Sequence, residues 1–151
     1  MTEFNRKWAM PNSKTFTIKP IKELILKHID DGMTVVDPFA NECSIKKEIS
    51  NINYISNDLD TQYDPPYSPR QVSEVYKSLD MTVNMQTTQS SYWSKQKEEI
   101  SRIVKNGGKV ITFGWNSGGI GKTKGFEIID ILLVAHSGWH NDTICTVDYK
   151  K

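Results

Sequence analysis

The first clear hydrophobic pattern is helical: Ile21, Leu24, Ile25, His28 and Ile29 follow i, i+3, i+4, i+7, i+8. Pro20 suits the first turn, where a missing N–H costs nothing, and Asp31-Gly32 should end the helix. Residues 33–36 then read as a short buried strand running into Asp37-Pro38-Phe39-Ala40-Asn41. Residues 44–49 fit a short helix, and residues 52–56 a second strand ending at Asn57-Asp58-Leu59-Asp60. Ser68-Pro69-Arg70-Gln71 has the form of a capping box, which predicts a helix over 69–79 with Val72, Val75, Tyr76 and Leu79 on one face. A polar stretch follows at 80–91, then a helix over 92–105 carrying Trp93, Gln96, Ile100, Ile103 and Val104 at helical spacing. Gly107-Gly108 ends it, and residues 109–113 are an apolar strand.

Residues 126–135 and 141–149 read as two further strands joined by a turn around Ser137-Gly138, although length also permits a helix over 126–135. The last strand alternates Ile144, Thr146 and Asp148 against Thr143, Cys145, Val147 and Tyr149. Residues 1–15 have no period and are expected to form an extended arm, with Trp8, Met10 and Pro11 available to pack on the body or on a partner.

Composition narrows this little. A chain of 151 residues is expected to be a single domain, and a formal charge of +1 argues neither for nor against nucleic acid. Cys43 and Cys145 lack metal-type spacing and read as buried thiols of a reducing compartment. No secretory apolar core opens the sequence, and the apolar run 128–135, interrupted by Asp130, is too short to span a bilayer. A soluble cytoplasmic protein is the expectation.

The candidate chemistry centres on Tyr63-Asp64-Pro65-Pro66-Tyr67-Ser68-Pro69. Two consecutive prolines fix two φ angles and remove two donors, leaving a rigid extended turn. Such a turn suits an exocyclic amine on a flat base. Asp64 and the Pro65 carbonyl would accept its two hydrogens, drawing the lone pair toward a methyl donor, while Tyr67 stacks on the ring. These residues resemble the Asp-Pro-Pro-Tyr motif of amino-methylating DNA methyltransferases, chiefly the N6-adenine enzymes of the small kind carried by phages and prophages. Lys19-Pro20, the amphipathic helix, Gly32, and the strand ending in Asp37-Pro38-Phe39 resemble the adjoining cofactor motifs of the same family, and Gly107-Gly108 resembles the junction before the fifth strand of class I methyltransferases.

The resemblance implies an α/β fold: a class I methyltransferase (Rossmann-like) sheet flanked by helices, with a C-terminal antiparallel hairpin. It implies S-adenosylmethionine as cofactor, with Asp37 facing the methionine ammonium and Pro38 and Phe39 packing nearby. Asp58, an acid at the end of the second strand and about 20 residues beyond the first, is the expected ribose partner, with Asp60 as substitute. Asp64, Pro65, Pro66 and Tyr67 would be catalytic. DNA is the implied partner, within a bacterial host cell; as a duplex reader the protein would flip its target adenine. Arg70, Lys122 and Lys124 are candidate DNA contacts. Specificity would come from residues 80–91 and 116–124 or from a second protomer in a homodimer. Two departures stand out. Asn41-Glu42-Cys43-Ser44 replaces the family's Gly-Ser-Gly, and only Thr61, Gln62 and Tyr63 separate Asp60 from Asp64, which implies either a sheet rebuilt from fewer strands or an internally shortened variant of the family fold.

Alternatives remain open at this level: N4-cytosine methylation, a non-catalytic methyltransferase-like module that binds nucleic acid, and a phosphate-loop ATPase. The last rests on Asn116-Ser117-Gly118-Gly119-Ile120-Gly121-Lys122-Thr123, whose spacing departs from G-x-x-x-x-G-K-T. His136, His140 and Asp142 lie close in sequence, but two loop histidines read as polar surface, and amino-methylation needs no metal.

Overall fold

The computed structural model describes residues 1–12, 14–38, 40, 45–56, 77 and 94–151 of the chain. They belong to a mixed α/β protein with two compact units, one of Ala9–Pro65 and one of Met1–Trp8 with Pro66–Lys151.

In the unit Ala9–Pro65, a 3-10 turn at Thr15–Thr17 leads into helix α1, Lys19–His28, with Pro20 in its first turn. The buried stripe is Ile21, Leu24, Ile25 and His28, the face set by the spacing of the apolar residues. Beyond it, Gly32 donates its amide to Asn51 O at 2.7 Å, bringing together the starts of two strands. Strand β2, Thr34–Asp37, and β3, Asn53–Ser56, run parallel with Val35 opposite Tyr54 and Asp37 opposite Ser56. The short helix expected over 44–49 is instead a turn at residues 45–48, closed by Glu48 N–H to Ile45 O at 3.0 Å. A single turn pays the cost of helix nucleation without propagation to offset it. Lys22 of α1 bonds Glu48 at 2.6 Å and fastens this turn to the helix.

The second unit is built on a four-stranded sheet. In sequence order its strands are β1 (Glu3–Trp8), β4 (Lys109–Gly114), β5 (Phe126–Ala135) and β6 (Thr143–Lys150); across the sheet they run β1-β5-β6-β4. β5 and β6 form the antiparallel hairpin expected at the end of the chain, with a bulge between Ile128 and Asp130. The helix that length permitted over 126–135 does not form; Ile128, Ile129, Ile131 and Val134 are β-branched and fit a pleated surface.

The arm expected at the N-terminus contains β1, paired parallel to β5 from Glu3↔Asp130 to Trp8↔Ala135. Its side chains are exposed on both faces, apart from half-buried Asn5, so no apolar alternation betrays it; backbone pairing alone makes it a strand.

Helix α2, Ser94–Ile103, falls within the helix expected over 92–105 and ends before Val104 and Lys105. Lys150 secures its C-terminal end by donating from Nζ to Ser101 O at 2.6 Å and to Val104 O at 2.7 Å, and lies 5.7 Å from the Phe126 ring centroid. The last carbonyls of a helix have no partner within it, so these contacts supply one. At Gly108 a Cβ would lie 2.7 Å from Val104 Cγ1, which accounts for glycine in this tight exit from α2 to β4. The helix expected over 69–79 lies outside the described residues except at Lys77.

The core of the unit sits on β6. Cys145, Thr146, Val147 and Asp148 are all fully buried, on both faces of the strand. β6 has strands on either side, and residues on both of its faces are buried. Among the described residues, no helix is long and apolar enough to cross a membrane.

Candidate functional site

Asp37 closes β2 and is buried, 9 % exposed. Tyr54 reaches it diagonally from the neighbouring strand and donates its hydroxyl to Asp37 Oδ2 at 2.7 Å. Val35 and Tyr54 are opposite one another, and Asp37 follows Val35 by two residues, so all three share a face. The carboxylate is thereby oriented at the carboxyl ends of two parallel strands, the end of a parallel sheet at which ligands bind. A buried, oriented carboxylate can hold an ammonium or accept from a ligand hydroxyl. Tyr54 was not singled out from the sequence; its signal, an aromatic hydroxyl one diagonal step from an acid, emerges only with the strand register.

Pro38 directly follows Asp37. Phe39, Asp58, Asp60, Arg70 and the whole motif Asp64, Pro65, Pro66, Tyr67 lie outside the described residues. So does Cys43.

The other unit carries Lys122 and Lys124 in a 3-10 turn, Lys122–Lys124. Lys122 is exposed. Lys124 is only 25 % exposed along its side chain and faces Glu98 of α2 at 3.6 Å, while its carbonyl accepts from Ser101 Oγ at 3.4 Å. Its charge is therefore partly engaged within the fold.

The glycine-rich stretch has a structural role that its composition did not reveal. β4 and β5 are both antiparallel to β6, which lies between them, so they run in the same direction. The chain joining them must cross the sheet, and residues 115–125 make that crossing. Ile120 donates its amide to Asp148 Oδ2 at 3.3 Å as it passes. Gly119 has φ +54°, and any Cβ there would overlap the Asp148 carboxylate. Beneath the crossing, Thr146 of β6 hydrogen-bonds Thr112 of β4 through their hydroxyls. Burial pushes the Asp148 carboxyl above the usual carboxylate range; the Ile120 amide, the Lys97 charge and Thr146 oppose that rise.

Two of the three residues weighed as a metal site make contacts within the β5–β6 turn. His136 donates its amide to Asp142 Oδ1 at 3.0 Å, and its Nε2 lies 3.0 Å from Thr143 Oγ1, so these residues tie the β5–β6 turn together. Burial raises the Cys145 thiol to about 12, which keeps it protonated and unreactive.

No known protein family, curated protein or solved structure matches the chain.

Proposed function

We propose that the protein is an S-adenosylmethionine-dependent DNA methyltransferase acting on the exocyclic N6 amine of adenine. The observation that carries this reading is the Asp37 carboxylate, fixed by Tyr54 at 2.7 Å at the carboxyl end of the parallel pair β2/β3. A carboxylate acceptor suits the methionine ammonium, and β3 ends two residues before Asp58, the acid assigned to the ribose. Two further features agree with the reading. They are the turn at Gly107-Gly108 leading into β4, and the closing antiparallel hairpin of β5 and β6.

When bound, the cofactor supplies an electrophilic methyl group. Asp37 would anchor its amino-acid end and Asp58 its ribose. Asp64 and the Pro65 carbonyl would each accept one hydrogen of the adenine amine, making the nitrogen more nucleophilic, with Pro66 stiffening the turn and Tyr67 stacking on the base. Lys122 and Arg70 would contact the DNA backbone.

The phosphate-loop reading is weakened by Asp148. A loop that cradles phosphate offers its amides to the anion, whereas the Ile120 amide is directed at a buried carboxylate. A second reading has specific support in the sequence. Asn41-Glu42-Cys43-Ser44 in place of Gly-Ser-Gly, and three residues in place of strands before Asp64, favour a non-catalytic module. N4-cytosine methylation shares every residue named above.

Calorimetric titration with S-adenosylmethionine, with ATP in parallel, separates these readings. Saturable binding of the methyl donor alone, followed by methyl transfer to adenine in DNA that Asp64→Ala abolishes, is expected. Binding of neither supports the non-catalytic module, and binding of ATP alone would restore the phosphate loop.

A further inference from the structure

Strand β1 presents two aromatic rings with a cation between them. Phe4, Arg6 and Trp8 alternate along it and so share one face, where Phe4 is 64 % and Trp8 63 % exposed. Arg6 is exposed as well and makes no ion pair with any described residue. The acid of the strand is turned away: Glu3 lies on the opposite face, where it accepts from Asn5 Nδ2 at 2.9 Å. The face continues over the β5 partners Ile131, Leu133 and Ala135, each half-buried. At the end where Trp8 meets Ala135, the turn after β5 carries Trp139, fully exposed.

Large exposed apolar side chains arranged around a charge mark an interaction surface rather than scattered surface residues. We infer that the Phe4–Arg6–Trp8 face of β1 binds single-stranded nucleic acid, with bases stacked on the two rings and a phosphate held by Arg6. Stacking platforms interleaved with cations are how single strands are bound without sequence preference. The spacing agrees. Alternate strand residues lie about 6.7 Å apart, so the rings are separated by about 13 Å, close to four steps of a stacked strand at about 3.4 Å each. A duplex keeps its base faces covered and offers only phosphates to this surface. A second copy of the chain is a poorer occupant, because adjacent Arg6 and Lys7 place charge on both faces of the strand, a pattern that discourages strand addition. The inference does not rest on methyl transfer, since every residue in it lies outside the proposed cofactor and amine sites.

Fluorescence anisotropy of the full chain with a labelled twelve-residue oligothymidylate, without methyl donor, tests it. The expected result is saturable binding that is tighter than for a duplex of the same length at the same salt. Phe4→Ala and Trp8→Ala should each weaken it on the order of ten-fold, and Trp8→Phe should restore most of the loss. Arg6→Ala should reduce the slope of log K against log salt by about 0.7, one phosphate contact on a single strand. These exposed positions leave the fold intact, which an unchanged urea midpoint verifies. Absence of binding, binding indifferent to all three substitutions, or equal affinity for the duplex would overturn the inference. So would a sedimenting dimer dispersed by Phe4→Ala and Trp8→Ala, which would assign the face to a second copy of the chain.

Discussion

The amide of Ile120 donates to the carboxylate of Asp148 at 3.3 Å, joining a loop to a fully buried acid on an inner strand of the sheet. This contact reconciles two features that are unfavourable separately. A crossing without an α-helix lays much of its backbone over a sheet outside regular structure, where amides need partners. A buried carboxylate needs donors to offset its lost hydration. The Ile120 amide gains an acceptor and Asp148 Oδ2 a donor, while Oδ1 stays buried without a partner among the described residues, and Gly119 lets the two segments approach.

Gly119→Ala should therefore destabilise the protein by about 1–3 kcal/mol, since it combines a left-handed φ with overlap at the acid. Urea denaturation measures this. A midpoint equal to that of the parent would mean that the crossing has another path available.

Asp148→Asn should change stability in a pH-dependent way. The folded-state pKa of Asp148 is raised, so the native chain holds the proton more tightly than the unfolded chain, and ionisation costs stability. That cost is absent below the unfolded carboxyl value of about 3.9 and complete above the raised folded value. Asparagine can still accept from Ile120 without carrying charge. The variant should gain on the parent as pH rises from about 4 toward neutrality, followed by denaturation across that range. A difference that stays flat with pH would remove the titration of Asp148 as its source.

The elements that could be read from the sequence are those whose burial imposes a period. α1 buries one stripe, so Ile21, Leu24 and Ile25 announce it, and the β5/β6 hairpin follows from β-branched runs around a Ser-Gly turn. β1 was missed because pairing without burial leaves no apolar rhythm. The crossing was missed for a different reason. Glycines at 118, 119 and 121 suggest a loop, but the need for one of them arises at Asp148, 29 residues after Gly119 in the chain. Asp148 sits in an alternating strand whose local pattern carries no sign of its full burial, which arises from the crossing above it. Of the candidate site, Asp37 was legible as an acid at a strand end, whereas Tyr54 depended on a parallel register that no local pattern encodes.

Tyr54→Phe isolates that register effect. Removing the hydroxyl takes away one hydrogen bond to Asp37, worth about 0.5–1.5 kcal/mol, while the ring keeps its packing. If Asp37 anchors the methionine ammonium, S-adenosylmethionine affinity should fall several-fold, and Asp37→Asn should lower it further. Calorimetry on both variants checks this. Unchanged affinity in both would detach the carboxylate from the cofactor.

Lys150→Met tests the attachment of α2. Methionine replaces the stem of the lysine but removes the ammonium, and with it the charge over the Phe126 ring and the donor to the carbonyls of Ser101 and Val104. Both contacts are partly buried, and hydrogen bonds from a charged donor are stronger than neutral ones. The variant should lose about 1–3 kcal/mol, read from its urea midpoint, and helical signal should decline before the sheet unfolds, because α2 has no fully buried residue to hold it. Lys150→Arg, which retains charge and donors, should recover part of the loss. An unaltered, fully cooperative transition in Lys150→Met would show that Ile100, Val104 and the Lys124–Glu98 pair suffice to dock the helix.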